Sequence, residues 1–215
     1  MNEYISLDLE AITVSTVVSG EIKSEEIRRR AEEGVNKPCR ITGDGKVAIP
    51  IYGAMRSYLE KTLKESGVNV CDTGARGSKG CGRCILCDLF GSLGKRGRAL
   101  IDDLKSTEDF KHIVKQTFHS KISRENFNVT DSLNMDEIQE GAVFKGKIKI
   151  IEPRTSDLEL LTTGIRAINE FGLGGWIRRG RGRINLRIAK VEKKTWADLY
   201  NEGKAEAKKL LGVSR

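Results

Sequence analysis

The sequence has no long apolar run and no recognisable leader. No stretch approaches the roughly 20 apolar residues that a helix needs to cross a bilayer. The start, Met1-Asn2-Glu3-Tyr4, lacks the basic and apolar regions of a signal peptide. We therefore expect a cytoplasmic protein with no membrane partner. In that reducing compartment, the five cysteines are expected to bind metal or to remain free thiols rather than to form a disulfide framework.

The sequence is also poor in catalytic motifs. Histidine occurs only as His112 and His119, and neither stands in a recognisable pattern with a base or a nucleophile. No GxxxxGK[ST] segment is present, which disfavours nucleotide hydrolysis. The residues therefore predict a protein without a catalytic site of its own.

Charge is plentiful and unequal in sign. Lysine and arginine number 38 against 30 aspartate and glutamate residues, which gives a formal net charge of +8 in 215 residues. A basic excess of this size favours a polyanionic partner, and nucleic acid is the most common one. The length suffices for one large core.

Hydrophobic periodicity predicts an α+β fold with an antiparallel sheet covered by helices. Alternation indicates strands and a period near 3.6 indicates helices. Strands are expected at 5–9, 46–51, 144–150 and 184–188, and helices at 24–33, 52–66, 156–171 and 196–211. A capping box is expected at Ser156–Glu159. Residues 102–118 are expected to hold a short helix, and the polar stretch 119–141 to form a long loop.

Four of the five cysteines follow a metal-binding spacing. Cys71, Cys81, Cys84 and Cys87 form C-x9-C-x2-C-x2-C, and two intervening residues let neighbouring thiolates reach one ion. Four thiolates make the closed tetrahedral shell of structural zinc. The run also resembles part of a ferredoxin motif, but no further Cys-Pro follows it, so zinc is favoured over an iron–sulfur cluster or a metal-free loop. Cys39 stands apart and is expected to pack as a thiol.

Cations surround this cysteine segment, which we treat as an insertion over residues 67–97. Between Arg76 and Arg98, six basic residues accompany a single acid, Asp88. They are either the solvated surface of a small metal-stapled loop or a set of cations presented to a phosphate backbone, and the excess of one sign favours the second interpretation.

A later segment, GLGGWIRRGRGR at Gly172–Arg183, combines five glycines with four arginines. It follows a helix and opens a strand, the reverse of a dinucleotide-binding loop. Glycine permits close backbone approach, and arginine offers a planar fork of donors to phosphate. The segment is therefore predicted to bind a phosphate backbone. Trp176 either stacks on a base or anchors the loop in the core.

Three features in order resemble the RAMP superfamily (repeat-associated mysterious proteins) of CRISPR systems, in particular the backbone subunit of multi-subunit effector complexes. They are Ile49-Pro50 before a helix that begins Tyr52-Gly-Ala-Met-Arg56, the segment Cys84-Ile-Leu-Cys-Asp-Leu-Phe-Gly91, and the late glycine/arginine loop. The resemblance implies a modified RRM-like (ferredoxin-like) domain over residues 1–215. It also implies head-to-tail copies, further effector subunits and single-stranded guide RNA lying along the filament.

The resemblance also implies a thumb, which in the family is a protruding hairpin that kinks the guide between subunits. Residues 119–141 fall at its place and are predicted to be a thumb-like loop. Adding the basic insertion and the late loop, we predict RNA contacts for a larger set. Its members are Arg56, Arg76, Lys79, Arg83, Lys95, Arg96, Lys121, Arg124, Gly174, Gly175, Trp176, Arg178, Arg179, Arg181 and Arg183.

The resemblance implies an Asp-x-Pro motif before the Ile-Pro strand in target-cleaving members of the family, and this sequence departs from that motif. Asn36-Lys37-Pro38 occupies the place, and asparagine is not an anionic metal ligand. The sequence thus predicts a non-catalytic RNA-binding subunit, with nearby Asp44 the residue that keeps target cleavage open. Two rivals remain: a guide-processing endonuclease using His119, and an unrelated zinc-bearing RNA-binding protein.

Overall fold

The structure is a computed structural model that describes residues 3–19, 32, 34–74 and 78–211. The helix expected at 24–33 and Arg76 lie outside the described residues. Within them, no helix is both long enough and apolar enough to cross a bilayer.

The strands build an antiparallel sheet of seven and two small hairpins. They are β1 (Glu3–Thr13), β2 (Arg40–Ile41), β3 (Lys46–Ile49), β4 (Gly91–Ser92), β5 (Lys95–Arg96), β6 (Ala99–Ile101), β7 (Leu104–Asp109), β8 (Val114–Ile122), β9 (Val129–Ile138), β10 (Val143–Ile151) and β11 (Ile184–Thr195). The large sheet runs β11-β1-β10-β7-β3-β2, and β6 also pairs with β10. Every pairing in it is antiparallel, so the predicted α+β class is confirmed.

Helices pack in one core with this sheet, except for the last helix, which buries no residue. They are α1 (Tyr52–Glu65), α2 (Ile85–Phe90), α3 (Phe110–Ile113), α4 (Thr155–Phe171) and α5 (Trp196–Leu210). Alternation along β1 explains the layering, because Leu7 and Leu9 are buried in the core while Asp8 points to the opposite face and pairs with Lys147 at 3.2 Å. Gly164 of α4 lets α1 approach closely, since a Cβ there would lie 2.6 Å from the Met55 side chain.

The start of α4 differs from the prediction in its cap. The capping carboxylate belongs to Asp157, which accepts a hydrogen bond from the Arg154 backbone N–H at 2.7 Å, and not to Glu159. Asp157 is fully buried, and the Arg98 guanidinium binds it in a bidentate pair at 2.5 and 2.8 Å. The ion pair with Arg98, a residue distant in sequence, therefore holds Asp157 in place as the capping residue.

Two expectations between residues 102 and 141 have different outcomes. Residues 102–118 hold the short helix α3, as expected, and β7 and the start of β8 form the rest of the segment. The loop expected at 119–141 was wrong, because this stretch consists mostly of the hairpin β8–β9. The outer part of the hairpin is open to solvent, with Phe118, Ile122 and Val129 at least 58% exposed, so it lacks the apolar alternation that marks a half-buried strand.

Candidate metal centre and nucleic-acid interface

The four cysteines of the predicted metal site meet at one point. The Sγ atoms of Cys71, Cys81, Cys84 and Cys87 all lie within 4.8 Å of one another, and those of Cys71 and Cys87 are 3.3 Å apart. Zn–S bonds of about 2.3 Å in a tetrahedron require S···S separations of about 3.8 Å. The cluster can therefore hold one metal ion in a closed four-sulfur shell.

Local backbone geometry builds the cluster. The turn after Cys81 directs the Cys84 N–H to the Cys81 Sγ at 3.2 Å, and the Cys87 N–H points to the Cys84 Sγ at 3.5 Å. Gly80 has a positive φ of +77°, and a Cβ there would lie 2.9 Å from the Ser92 Cβ. The hairpin β4–β5 thus packs directly against the cysteine turn.

The same backbone donors change the acidity of the thiols. N–H groups of Arg83 and Cys84 lower the pKa of Cys81 to about 6, because they stabilise the thiolate. Burial raises the pKa of Cys71 to about 12. A metal that binds all four sulfurs binds them as thiolates, so its binding releases protons.

The basic residues of the insertion divide into two groups. Lys79, Arg83 and Arg96 are exposed, and no ion pair involving them is found among the described residues. Lys95 is also exposed, but its Nζ binds the Gly82 carbonyl at 3.0 Å and Asp88 at 3.3 Å. Asp88 is further paired with Arg98 and Arg154, and so neutralises part of the cationic surface that the sequence suggested.

Arg56 does not lie on the predicted RNA-binding surface. Its side chain is 8% exposed, and its Nε binds Glu60 of the next helical turn at 3.1 Å. Its Nη1 donates to the Gly91 carbonyl at 2.6 Å. The assignment of Arg56 to RNA was wrong because helical spacing alone did not show that α2 and β4 cover this side of α1.

The glycine/arginine loop packs against the segment that follows β1. Gly175 N–H donates to the Val18 carbonyl at 2.9 Å, and Gly182 N–H donates to the Thr16 carbonyl at 2.8 Å. A Cβ on Gly174 would lie 2.4 Å from the Val18 oxygen, and one on Gly182 would lie 2.2 Å from the Leu173 oxygen. These glycines are therefore required by close contacts within the chain, not by the approach of an external backbone.

The arginines of the loop fall into buried and open positions. Arg181 is 21% exposed and binds Glu137 of β9, whose side chain is only 4% exposed, at 2.7 Å. Arg178, Arg179 and Arg183 are exposed. The RNA assignment of Arg181 is therefore corrected: its charge compensates a buried carboxylate, while its three neighbours remain open to a ligand.

Trp176 anchors the loop to the hairpin. Its backbone is left-handed, with φ 60° and ψ 27°, and its ring meets that of His119 edge-on at 4.8 Å between centroids. The Arg179 and Arg181 guanidinium groups lie 4.4 and 5.1 Å from its centroid. Trp176 is half-buried against the hairpin rather than in the core, and its stacking on a base stays a prediction.

His119 has a partner that the sequence did not reveal. Its Nε2 lies 3.2 Å from the Glu137 Oε1 and 3.3 Å from the Thr117 Oγ1. The two side chains approach one another through the pairing of β8 and β9, although their positions are not directly opposite: His119 faces Leu133, and Glu137 faces Lys115. The 18 residues that separate His119 from Glu137 carry no local signal for this pairing.

The hairpin presents apolar side chains to solvent. Phe118, Ile122, Phe127 and Val129 are 58–81% exposed, and Phe127 is the most exposed of them. Arg124 is also exposed, and Lys121 lies on β8. Apolar and basic groups together suit contact with unstacked bases and phosphates.

Asn36 and Asp44 have internal roles. The Asn36 Oδ1 accepts the Asn134 N–H at 2.8 Å, so this side chain ties its segment to β9. The Asp44 carboxylate binds Lys105 at 2.6 Å and the Thr42 hydroxyl at 2.6 Å. These bonds, with Lys105 as the main cause, lower the pKa of Asp44 to about 2.

Comparisons with known proteins agree with this architecture. Of solved structures, 205 chains match. One is a chain of a structure described as "Cryo-EM structure of the Type III-B Cmr-beta bound to cognate target RNA", with a TM-score of 0.63 and 17% identity. The match covers 89% of this chain and 61% of that chain, so the protein spans about three fifths of its length. The likeness establishes a shared fold.

The family follows from a second comparison. The model of the RAMP superfamily matches residues 9–185, a range that contains the cysteine cluster, the hairpin β8–β9 and the glycine/arginine loop. The chain therefore belongs to the RAMP superfamily, as its three sequence features predicted. No curated protein matches the chain.

Proposed function

We propose that the protein is a guide-RNA-binding subunit of a CRISPR effector complex, and that it binds RNA through the open face of its glycine/arginine loop. The observation that carries this proposal is the loop itself. Backbone bonds to Thr16 and Val18 fix its path, and Arg178, Arg179 and Arg183 are left exposed on one short, rigid segment. Fixed cations of this kind bind phosphates without reading the base sequence.

The basic insertion and the hairpin extend the proposed surface. Lys79, Arg83 and Arg96 add cations around the cysteine cluster, in which a structural zinc ion is the metal that best suits four thiolates. The exposed Phe127 of the hairpin offers a flat apolar group to bases. Family membership supports copies of the chain and other effector subunits as partners, in the cytoplasm.

We also propose that the protein does not cut RNA. Asp44, the carboxylate that the sequence left open for cleavage, is paired with Lys105 at 2.6 Å, and this cation competes with a metal ion for it. The His119 imidazole uses its Nε2 within the cluster of Thr117, Glu137 and Arg181. A general base must reach a substrate proton, and the contacts of His119 direct its Nε2 toward the protein.

RNA binding is tested by measuring affinity for unstructured single-stranded RNA as salt is raised. Replacing Arg178, Arg179 and Arg183 together by Ala removes three phosphate contacts, which should flatten the slope of log K against log salt by about 2, at about 0.7 for each contact. The loss should be similar for RNAs of different sequence.

A matched control removes the same charge elsewhere. Arg187, Lys190 and Lys193 of β11 are exposed and paired with Glu10, Glu192 and Glu3. Replacing these three by Ala should change the slope much less. Equal slopes for the two triple variants would show that net charge, not the loop, binds RNA.

Electron microscopy of the protein mixed with long single-stranded RNA tests assembly. Filaments are expected, and single particles would oppose the proposal.

A further inference from the structure

The buried guanidinium of Arg56 contacts one ligand of the metal centre. Its Nη2 lies 3.5 Å from the Cys87 Sγ. Its Nε binds Glu60, and its Nη1 binds the Gly91 carbonyl and, at 3.3 Å, the Tyr52 hydroxyl. Each nitrogen of the guanidinium therefore has an acceptor, and one of the acceptors is a predicted metal ligand.

Glu60 extends this contact to the other side of the cluster. Its Oε2 accepts the Thr73 N–H at 3.1 Å, and its Oε1 accepts the Thr73 hydroxyl at 2.5 Å. Thr73 lies two residues after Cys71. The pair on α1 thus holds the segment of the first cysteine through Glu60 and the last cysteine through Arg56, although 16 residues separate the two ligands in sequence.

Burying the charges of Arg56 and Glu60 costs free energy, which other contacts must offset. The side chains of Arg56 and Glu60 are 8% and 6% exposed, and a buried ion pair often contributes less to stability than apolar residues of the same size would. Beside a four-thiolate site the same cation has a specific use. Such a site carries excess negative charge when it holds a divalent ion, and donors to its sulfurs offset that charge and orient the ligands.

We propose that Arg56 is a positioning residue of the metal centre, which donates to the Cys87 thiolate and, through Glu60, fixes the segment of Cys71. The planar fork is required, because the Nη2 must reach the sulfur while Nε and Nη1 stay bound to Glu60 and Gly91. A lysine has a single donor atom and cannot meet these acceptors at once. The role depends on the metal site alone and not on RNA binding.

The test is metal affinity of the full chain, measured with Co²⁺ alone. Competition with a chelator gives the affinity, and the sulfur-to-cobalt charge-transfer bands report the four-thiolate shell. Arg56→Lys keeps the charge, and Arg56→Met with Glu60→Gln removes the pair without leaving a buried charge. Both variants should bind Co²⁺ about 10–100-fold more weakly than the wild type with altered charge-transfer bands. Arg56→Lys should not restore the wild-type value.

The matched control is Arg83→Met. Arg83 is exposed and stands between Cys81 and Cys84, so its removal takes one charge from the site without a side-chain bond to sulfur. Its effect should stay below about fivefold, the range of an exposed charge. Wild-type affinity in the double variant, or an equal loss in the control, would overturn the proposal.

A measurement on the wild type alone decides the case if the variants do not fold. In metal-loaded protein the Arg56 guanidinium protons should exchange slowly with water in NMR spectra, and chelation should accelerate their exchange. Fast exchange in the loaded protein would show that Arg56 does not donate to the site, and would refute the proposal.

Discussion

Replacement of Arg181 separates the structural arginine of the loop from those that face solvent. Arg181→Ala removes both guanidinium contacts to Glu137 and also one of the two cations stacked on Trp176. The Glu137 carboxylate remains buried, with His119 as its nearest remaining partner. A charge left in the interior without its counter-ion is among the few changes that destabilise a protein strongly.

The size of the effect follows from burial. Breaking a fully buried ion pair from one side costs about 3–5 kcal/mol. Here Glu137 is 4% exposed but Arg181 is 21% exposed, so water already screens part of the pair, and His119 remains to donate. We expect a loss of about 2–3 kcal/mol, equivalent to a fall in Tm of roughly 4–12 °C for a chain of this size.

Urea unfolding of the wild type and three variants provides the assay. Arg181→Met with Glu137→Gln removes both charges and should cost less than Arg181→Ala alone, about 1 kcal/mol. The exposed Arg178→Ala should change the free energy of unfolding by no more than about 0.5 kcal/mol while weakening RNA binding. If Arg181→Ala is as stable as Arg178→Ala and weakens RNA equally, Arg181 is a phosphate contact and the structural role assigned here is wrong.

Three further predictions concern the metal, the loop glycines and cleavage. Elemental analysis of protein purified without added metal should find one zinc ion per chain. The Cys84→Ser variant should lose the zinc while the sheet signal in circular dichroism persists. Absence of zinc from the wild type, with folding unchanged by chelation, would contradict the metal assignment. Gly180→Ala should cost about 1 kcal/mol for its left-handed backbone. Gly182→Ala should cost at least twice as much, because its Cβ would also lie 2.2 Å from a carbonyl oxygen; equal costs would show that the loop rearranges. Assembled protein, incubated with guide and matched target RNA in Mg²⁺ or Mn²⁺, should leave the RNA intact. Regularly spaced cleavage products that disappear in the Asp44→Ala variant would show that the protein cleaves its target. A single cut in repeat RNA that disappears in the His119→Ala variant would show that it processes the guide.

Elements with a buried face were predictable from the sequence, because burial on one side imposes a period on the residues. The expected strands around Leu7, Ile148 and Leu186 match β1, β10 and β11, and the helix expected at 52–66 matches α1 within a residue. The cysteine cluster was predictable for a different reason. Ligand chemistry restricts which residues stand at short spacing, so the four thiols could be assigned without knowing the fold.

Contacts made across the fold were not predictable. The hairpin β8–β9 was taken for a loop because its exposed strands carry no apolar alternation, and the pairing that brings His119 toward Glu137 depends on its register. Arg56 was taken for a surface cation because the residues that bury it, Gly91 and Cys87, belong to the insertion. In each case a partner distant in sequence decides the role of the residue.

In the glycine/arginine loop, such distant contacts change the interpretation of the glycines but leave RNA binding as the proposed function. Its glycines first suggested a backbone pressed against RNA, yet the atoms that exclude a side chain at Gly174 and Gly182 are oxygens of the chain itself. A loop fixed in this way loses little conformational entropy when it binds a ligand. Arg181 adds to that rigidity by binding Glu137, so the three outward arginines are held in place before RNA arrives. Residues that never touch RNA therefore contribute to its proposed binding. Substitutions at Arg181 or Gly182 should weaken RNA binding because they loosen the loop, even though the three outward arginines are unchanged.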